Sequence, residues 1–156
     1  RDHLAGAMHA IELVDDLRDK HSDTPLGEFA ANLLGEIKTD REVLGGIAAK
    51  VGTSSSAIKD MAAALGEKMS QLKFKYANTP EFGTFEALEL LELGIHGKWA
   101  LWRTLATVSV SDPRLQGIDY DSLAARAQTQ ESSVEERRLE AAQVALRPAL
   151  DGVHHH

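Results

Sequence analysis

Apolar positions in this chain return every three or four residues and almost never every second one. From residue 2 to about residue 20, Leu4, Ala7, Met8, Ile11, Val14 and Leu17 make one stripe of an amphipathic helix. The break HSDTP follows, in which Thr24 suits an N-cap and Pro25 the first helical position, where its missing N–H costs no hydrogen bond. A second helix is expected from Pro25 to about Val51, with Leu26, Phe29, Leu33, Ile37, Leu44, Ile47 and Val51 inward and Gly52 as its stop. Residues 53–80 open with a serine run, continue through Ile58, Met61, Leu65, Met69 and Leu72, and end on a second Thr-Pro pair, Thr79 and Pro80. They read as a connector with a shorter helix of its own. A third long helix is expected from Glu81 to about Thr107, with Leu88, Leu91, Ile95, Trp99, Trp102 and Ala106 inward. SVSDPRLQG reads as a loop, and a fourth helix starts near Asp119 or Asp121, either of which can cap it, and runs to about Leu146 before Pro148 ends it.

The joints set the connectivity. Short links after the first and third helices make two antiparallel hairpins, while about 28 residues separate the second helix from the third, enough for a crossover along a bundle. The expected architecture is therefore an all-α antiparallel four-helix bundle, one domain over residues 1–153, with the crossover carrying a fifth, shorter helix.

Polar residues interrupt the inward faces. At about 100° per residue, Asp40 falls between Ile37 and Leu44 in the centre of the second helix's apolar arc, flanked by Glu36 and Arg41. Glu92 lies inside the arc of the third helix, with Glu89, His96 and Arg103 along its edge. In the fourth, Gln130, Val134, Arg137 and Arg138 are inward and Glu131 is at the edge, while in the first Asp15 lies near the stripe and His9 and Glu12 lie further round. A carboxylate buried alone would have to neutralise itself by a large pKa shift, so several of them imply compensating cations. Two kinds suffice: metal ions held by carboxylate and imidazole, or the chain's own arginines, among them Arg18, Arg41, Arg103, Arg137 and Arg138, whose forked guanidinium groups match a carboxylate. For Asp40 the expected partner is an arginine, and the polar network expected inside the bundle comprises Asp40, Arg41, Glu92, Arg103, Gln130, Arg137 and Arg138. Trp99 and Trp102 read as core anchors. The extra leucines on the third helix, Leu90, Leu93 and Leu101, need a cover, either the crossover or a second copy of the chain.

Composition narrows the function classes. A net charge of −7 with no basic stripe opposes binding to nucleic acid or anionic lipid. The chain has no Cys, which removes disulfides, thiolate metal sites and Cys nucleophiles and fits a cytoplasmic setting. No apolar run is long enough to span a membrane. The sequence starts at Arg1 rather than Met, which reads as a missing natural N-terminus, and His154, His155 and His156 read as an affinity-tag remnant, set aside from functional reasoning. No glycine-rich phosphate loop, Ser/His/Asp set or nucleophile elbow is visible.

The first hairpin, with Glu12 followed by LLGEIKTDREVLGGIAAKVG, and the second, with FEALELLELGIHGKWALW followed by QTQESSVEERRLEAA, resemble the ferritin-like superfamily and are similar to its bacterial stress-associated YciE/YciF branch. The resemblance covers nearly the whole chain, at the level of helix pattern. It implies two iron or manganese ions held by one Glu on each of two helices and a Glu-x-x-His on each of the other two. Here no Glu-x-x-His occurs; Glu36 is followed by Thr39 and Asp40, Glu131 by Val134, and His96 sits four residues after Glu92. The expectation is thus a non-catalytic, stress-related or interaction protein without a cofactor and with a degraded dinuclear site, a homodimer that binds neither nucleic acid nor membrane. The alternative is an iron- or manganese-binding oxidoreductase or iron-handling protein with Glu12, Glu36, Asp40, Glu92, His96 and Glu131 as available ligands.

Overall fold

The computed structural model describes the backbone of residues 2–51, 67 and 83–154 and the side chains within 10–51 and 83–146, with that of Glu67. Four helices account for most of them: α1 (Asp2–Lys20), α2 (Pro25–Val51), α3 (Thr84–Ser109) and α4 (Tyr120–His154), with a single 3₁₀ turn at Pro113–Leu115. No strand occurs among the described residues, so the expected all-α class holds. The crossover helix, Gly52 and the Thr79–Pro80 cap lie outside the described residues.

Local chemistry accounts for the helix starts. Thr24 caps α2, its Oγ1 accepting the Gly27 N–H at 3.2 Å. Asp119 rather than Asp121 caps α4, accepting the Ser122 N–H at 3.1 Å and the Ser122 hydroxyl at 2.7 Å. The third helix begins at Thr84, three residues later than expected, where Glu86 Oε2 accepts the Gly83 N–H at 3.1 Å. The other difference lies at the C-terminus: α4 continues past Pro148 to His154. Proline forfeits one bond, to the carbonyl of Val144, and Val144 is 70 % exposed, so water can serve that acceptor.

The helices pack as two pairs, α1 with α2 and α3 with α4, and the pairs meet through α1 against α3 and α2 against α4. Val14, Leu17, Leu33, Ile37, Ile47, Leu88, Leu91, Ile95, Trp102, Leu105 and Val134 fill the space between them. Trp102 is the largest fully buried side chain and Trp99 packs against the core from its margin. The segment expected to be a plain loop contributes to this core: Leu115 of the 3₁₀ turn is fully buried, and its carbonyl accepts the Tyr120 hydroxyl at 2.7 Å. The extra leucines of α3 are largely covered within the chain, Leu90 and Leu101 being buried and Leu93 46 % exposed. Among the described residues, no helix is long and apolar enough to cross a membrane.

A candidate site built on interior charge

Only two polar side chains are buried among the described residues, Asp40 on α2 and Gln130 on α4. Both are positions that the helical wheel places inward. They belong to one hydrogen-bonded group that joins three helices. Lys98 of α3 donates from Nζ to Asp40 Oδ2 at 2.7 Å and to Gln130 Oε1 at 2.5 Å. Arg126 of α4 pairs with the other oxygen of Asp40. The amide of Gln130 then donates to Glu36 Oε1 at 2.9 Å, so the chain of contacts leaves the interior at the surface of α2. Two cations and two carboxylates balance, which is what permits Asp40 to stay buried with its charge while Glu36 and Arg126 keep contact with water.

The electrostatics are not symmetric. Burial pushes the Lys98 pKa below its ordinary value, the attraction and hydrogen bond of Asp40 oppose that shift, and the neighbouring Arg126 adds to it. Lys98 is 16 % exposed, Arg126 35 % and Asp40 4 %, so the carboxylate is the most deeply placed member and its two cations reach it from outside. Two buried donors, Arg126 Nε and Trp102 Nε1, have no acceptor among the described residues.

The remaining candidates are distributed along the α3–α4 seam and the surface. Glu92 accepts from Arg138 Nε at 2.9 Å, a carboxylate–guanidinium pair between two residues that the wheel places inward. His96 Nδ1 lies 3.1 Å from Glu131 Oε1, with the imidazole 59 % exposed and its ring 5.3 Å from that of Trp99. Arg137 sits 5.1 Å over the Phe29 ring and 3.9 Å from Glu140. Glu12 and Arg103 are exposed, and Arg41 is half-buried. His9 is outside the described side chains. The six residues considered as metal ligands are therefore not gathered at one point, and no group of three His, Asp or Glu suited to an ion occurs among the described residues. Asp40, Glu36 and Glu92 are each engaged by a donor of the chain itself.

The expected arginine partner of Asp40 is thus present, but it is Arg126, which the sequence reading passed over, and Lys98 stands beside it. Both had a signal. Lys98 lies on the line Leu91, Ile95, Lys98, Trp102, Leu105, alternating steps of four and three along the buried face of α3, and Arg126 is one turn before Gln130 on α4. A lysine in that register reads by default as a side chain that snorkels to water, whereas this one spends its ammonium on Asp40 and Gln130.

Searches against protein-family models, curated proteins and solved structures return no match for this chain.

Proposed function

We propose that the chain is a non-catalytic ferritin-like bundle in which an ammonium and a guanidinium group stand where members of that superfamily hold metal ions, and that it acts as a stress-related interaction protein, as a homodimer. The observation that carries this reading is the position of Lys98 Nζ, 2.7 Å from a carboxylate oxygen and 2.5 Å from an amide oxygen in the bundle interior. A fixed positive charge held by oxygen donors is what a bound cation would be there, and it takes up the lone pairs that such an ion would need. Among the described residues, Asp40 is shared between two cations and Glu92 is paired with Arg138, so both carboxylates are already engaged. The exposed Leu93, Leu139 and Leu146 give the surface its apolar area for a second copy.

The test uses a form of the chain without His154, His155 and His156, which would bind metal on their own account. After anaerobic incubation with ferrous iron or manganese and desalting, the native chain is expected to retain much less than one ion per chain. Stoichiometric retention that disappears in Glu92→Ala would replace this reading with metal handling. Light scattering of the same samples is expected to give the mass of two chains.

A further inference from the structure

The end of the bundle away from the interior charges, where the α1–α2 turn meets the start of α3 and the later turns of α4, carries a groove of about 390 Å³. Its wall is mainly apolar, built by Leu26, Phe85, Ala141 and Val144, and its volume lies toward the lower end of the range for small-molecule sites. Val144 is 70 % exposed, so the wall leaves apolar surface in water that a bound molecule would cover. His21 Nε2 and Thr84 Oγ1, both in the lining, lie 2.9 Å apart and hold the turn before α2 against the first residue of α3.

The charged groups of the lining decide which head group suits it. Its one arginine is already engaged: Arg137 lays its guanidinium carbon 5.1 Å over Phe29, a ring that does not line the groove, and pairs with Glu140 at 3.9 Å. Glu86 has capacity left. Its Oε2 accepts the Gly83 N–H at 3.1 Å, and among the described residues no donor meets its other oxygen. The signs point the same way. Arg137 cancels Glu140, Glu86 leaves the lining one negative charge in excess, and the chain as a whole carries −7. An ammonium brings three N–H donors and a positive charge to this edge, whereas a carboxylate would bring acceptors to an acceptor and repulsion to a negative lining. Glu86 is only half-buried, so solvent screens the attraction: the apolar wall sets the affinity, and the charge adds a selectivity of about fivefold.

We propose that this groove binds a small amphiphilic monoamine, its ammonium on the Glu86 carboxylate and its apolar body along Leu26, Phe85, Ala141 and Val144. The site is independent of the Lys98 cluster and stands or falls without it. Octylamine hydrochloride, below its micellar concentration, is the probe, titrated into the full chain and followed by calorimetry and by the perturbation of backbone amide resonances. Saturable binding of one molecule per chain is expected, with shifts centred on residues 21–29, 83–86 and 137–145. Octanol, with the same apolar body and no charge, is expected to bind about fivefold more weakly, and octanoate about tenfold more weakly or worse. Glu86→Gln, whose amide oxygen can still accept the Gly83 N–H, is expected to bring octylamine down to the affinity of octanol and to leave octanol unchanged. Ala141→Leu, which fills the groove, is expected to remove both. Absence of saturable octylamine binding, shifts spread over the acidic surface instead of the groove, octanol or octanoate binding as tightly as octylamine, or octylamine affinity unchanged in folded Glu86→Gln would each overturn the proposal.

Discussion

Asp40 is the residue on which most of the interior depends. It is 4 % exposed and pairs directly with Lys98, 16 % exposed, and Arg126, 35 % exposed, so removing it takes the directly bonded counter-charge from both. Breaking a buried pair from one side costs about 3–5 kcal/mol, more than the net contribution of the intact pair, because the stranded charges must be desolvated for nothing. Asp40→Ala is therefore expected to lose about 3 kcal/mol in urea unfolding, whereas the triple change Asp40→Leu, Lys98→Met, Arg126→Met should lose less than that single one. Lys98 adds a pH dependence with a definite sign. Its folded pKa lies below its ordinary value near 10.5, so in the interval between the two the unfolded chain binds more protons. Stability contributed by this group is complete above the ordinary value and is lost as pH falls through the folded one. Measured by denaturant unfolding between pH 7 and 10.5, the native chain should gain stability relative to Lys98→Met as pH rises. The sequence makes Asp40 and Gln130 legible because each interrupts a run of apolar residues at helical spacing. Lys98 and Arg126 were not, since long basic side chains on an inward line normally carry their charge out to solvent, and only the neighbouring helices show that these two stop at Asp40.

At the scale of the helix, the ends were set more by capping chemistry than by periodicity. Thr24 and Pro25 mark the start of α2 without ambiguity, while Asp119 and Asp121 were equal candidates until Ser122 decided between them with its N–H and hydroxyl. These bonds hold the Asp119 carboxyl below the usual carboxylate range. Its contribution is present above that range and vanishes as pH drops through the lowered value, so Asp119→Ala should be less stable than the native chain at neutral pH and equal to it once the carboxyl is protonated, as read by thermal melts down to about pH 2. Pro148 shows the reverse error. A proline was expected to end α4, but near an exposed stretch the lost bond is offset by solvent, and the helix passes through it. Gly27 is a position where sterics overrule propensity. Alanine is favoured over glycine inside a helix by about 1 kcal/mol, yet a Cβ on Gly27 would overlap the His21 carbonyl, a backbone atom that cannot step aside. Gly27→Ala should consequently destabilise the α1–α2 turn by about 1–2 kcal/mol net, visible as a lowered midpoint in chemical denaturation.

For the whole molecule, the pairing of α1 with α2 and α3 with α4 followed from joint lengths alone, because a link of a few residues forces neighbouring helices to pack together. What joint lengths do not convey is axial height. Asp40 and Glu92 were expected to share a neutralising network, yet Asp40 meets Lys98 and Arg126 while Glu92 meets Arg138, three turns further along α4. A helical wheel gives the angle of a side chain and discards its depth, so contacts between helices were the part of the site hidden in the sequence.

The ammonium of Lys98 has a kinetic consequence. Because it is bonded to both neighbouring helices at once, none of α2, α3 and α4 can swing away at its level without abandoning a charge among leucines. Thermal breathing of the turns around it is thereby yoked into a single event. Amide deuteration watched over hours should show residues 37–44, 95–102 and 126–134 taking up label at one common rate, and Lys98→Met should split that rate into three.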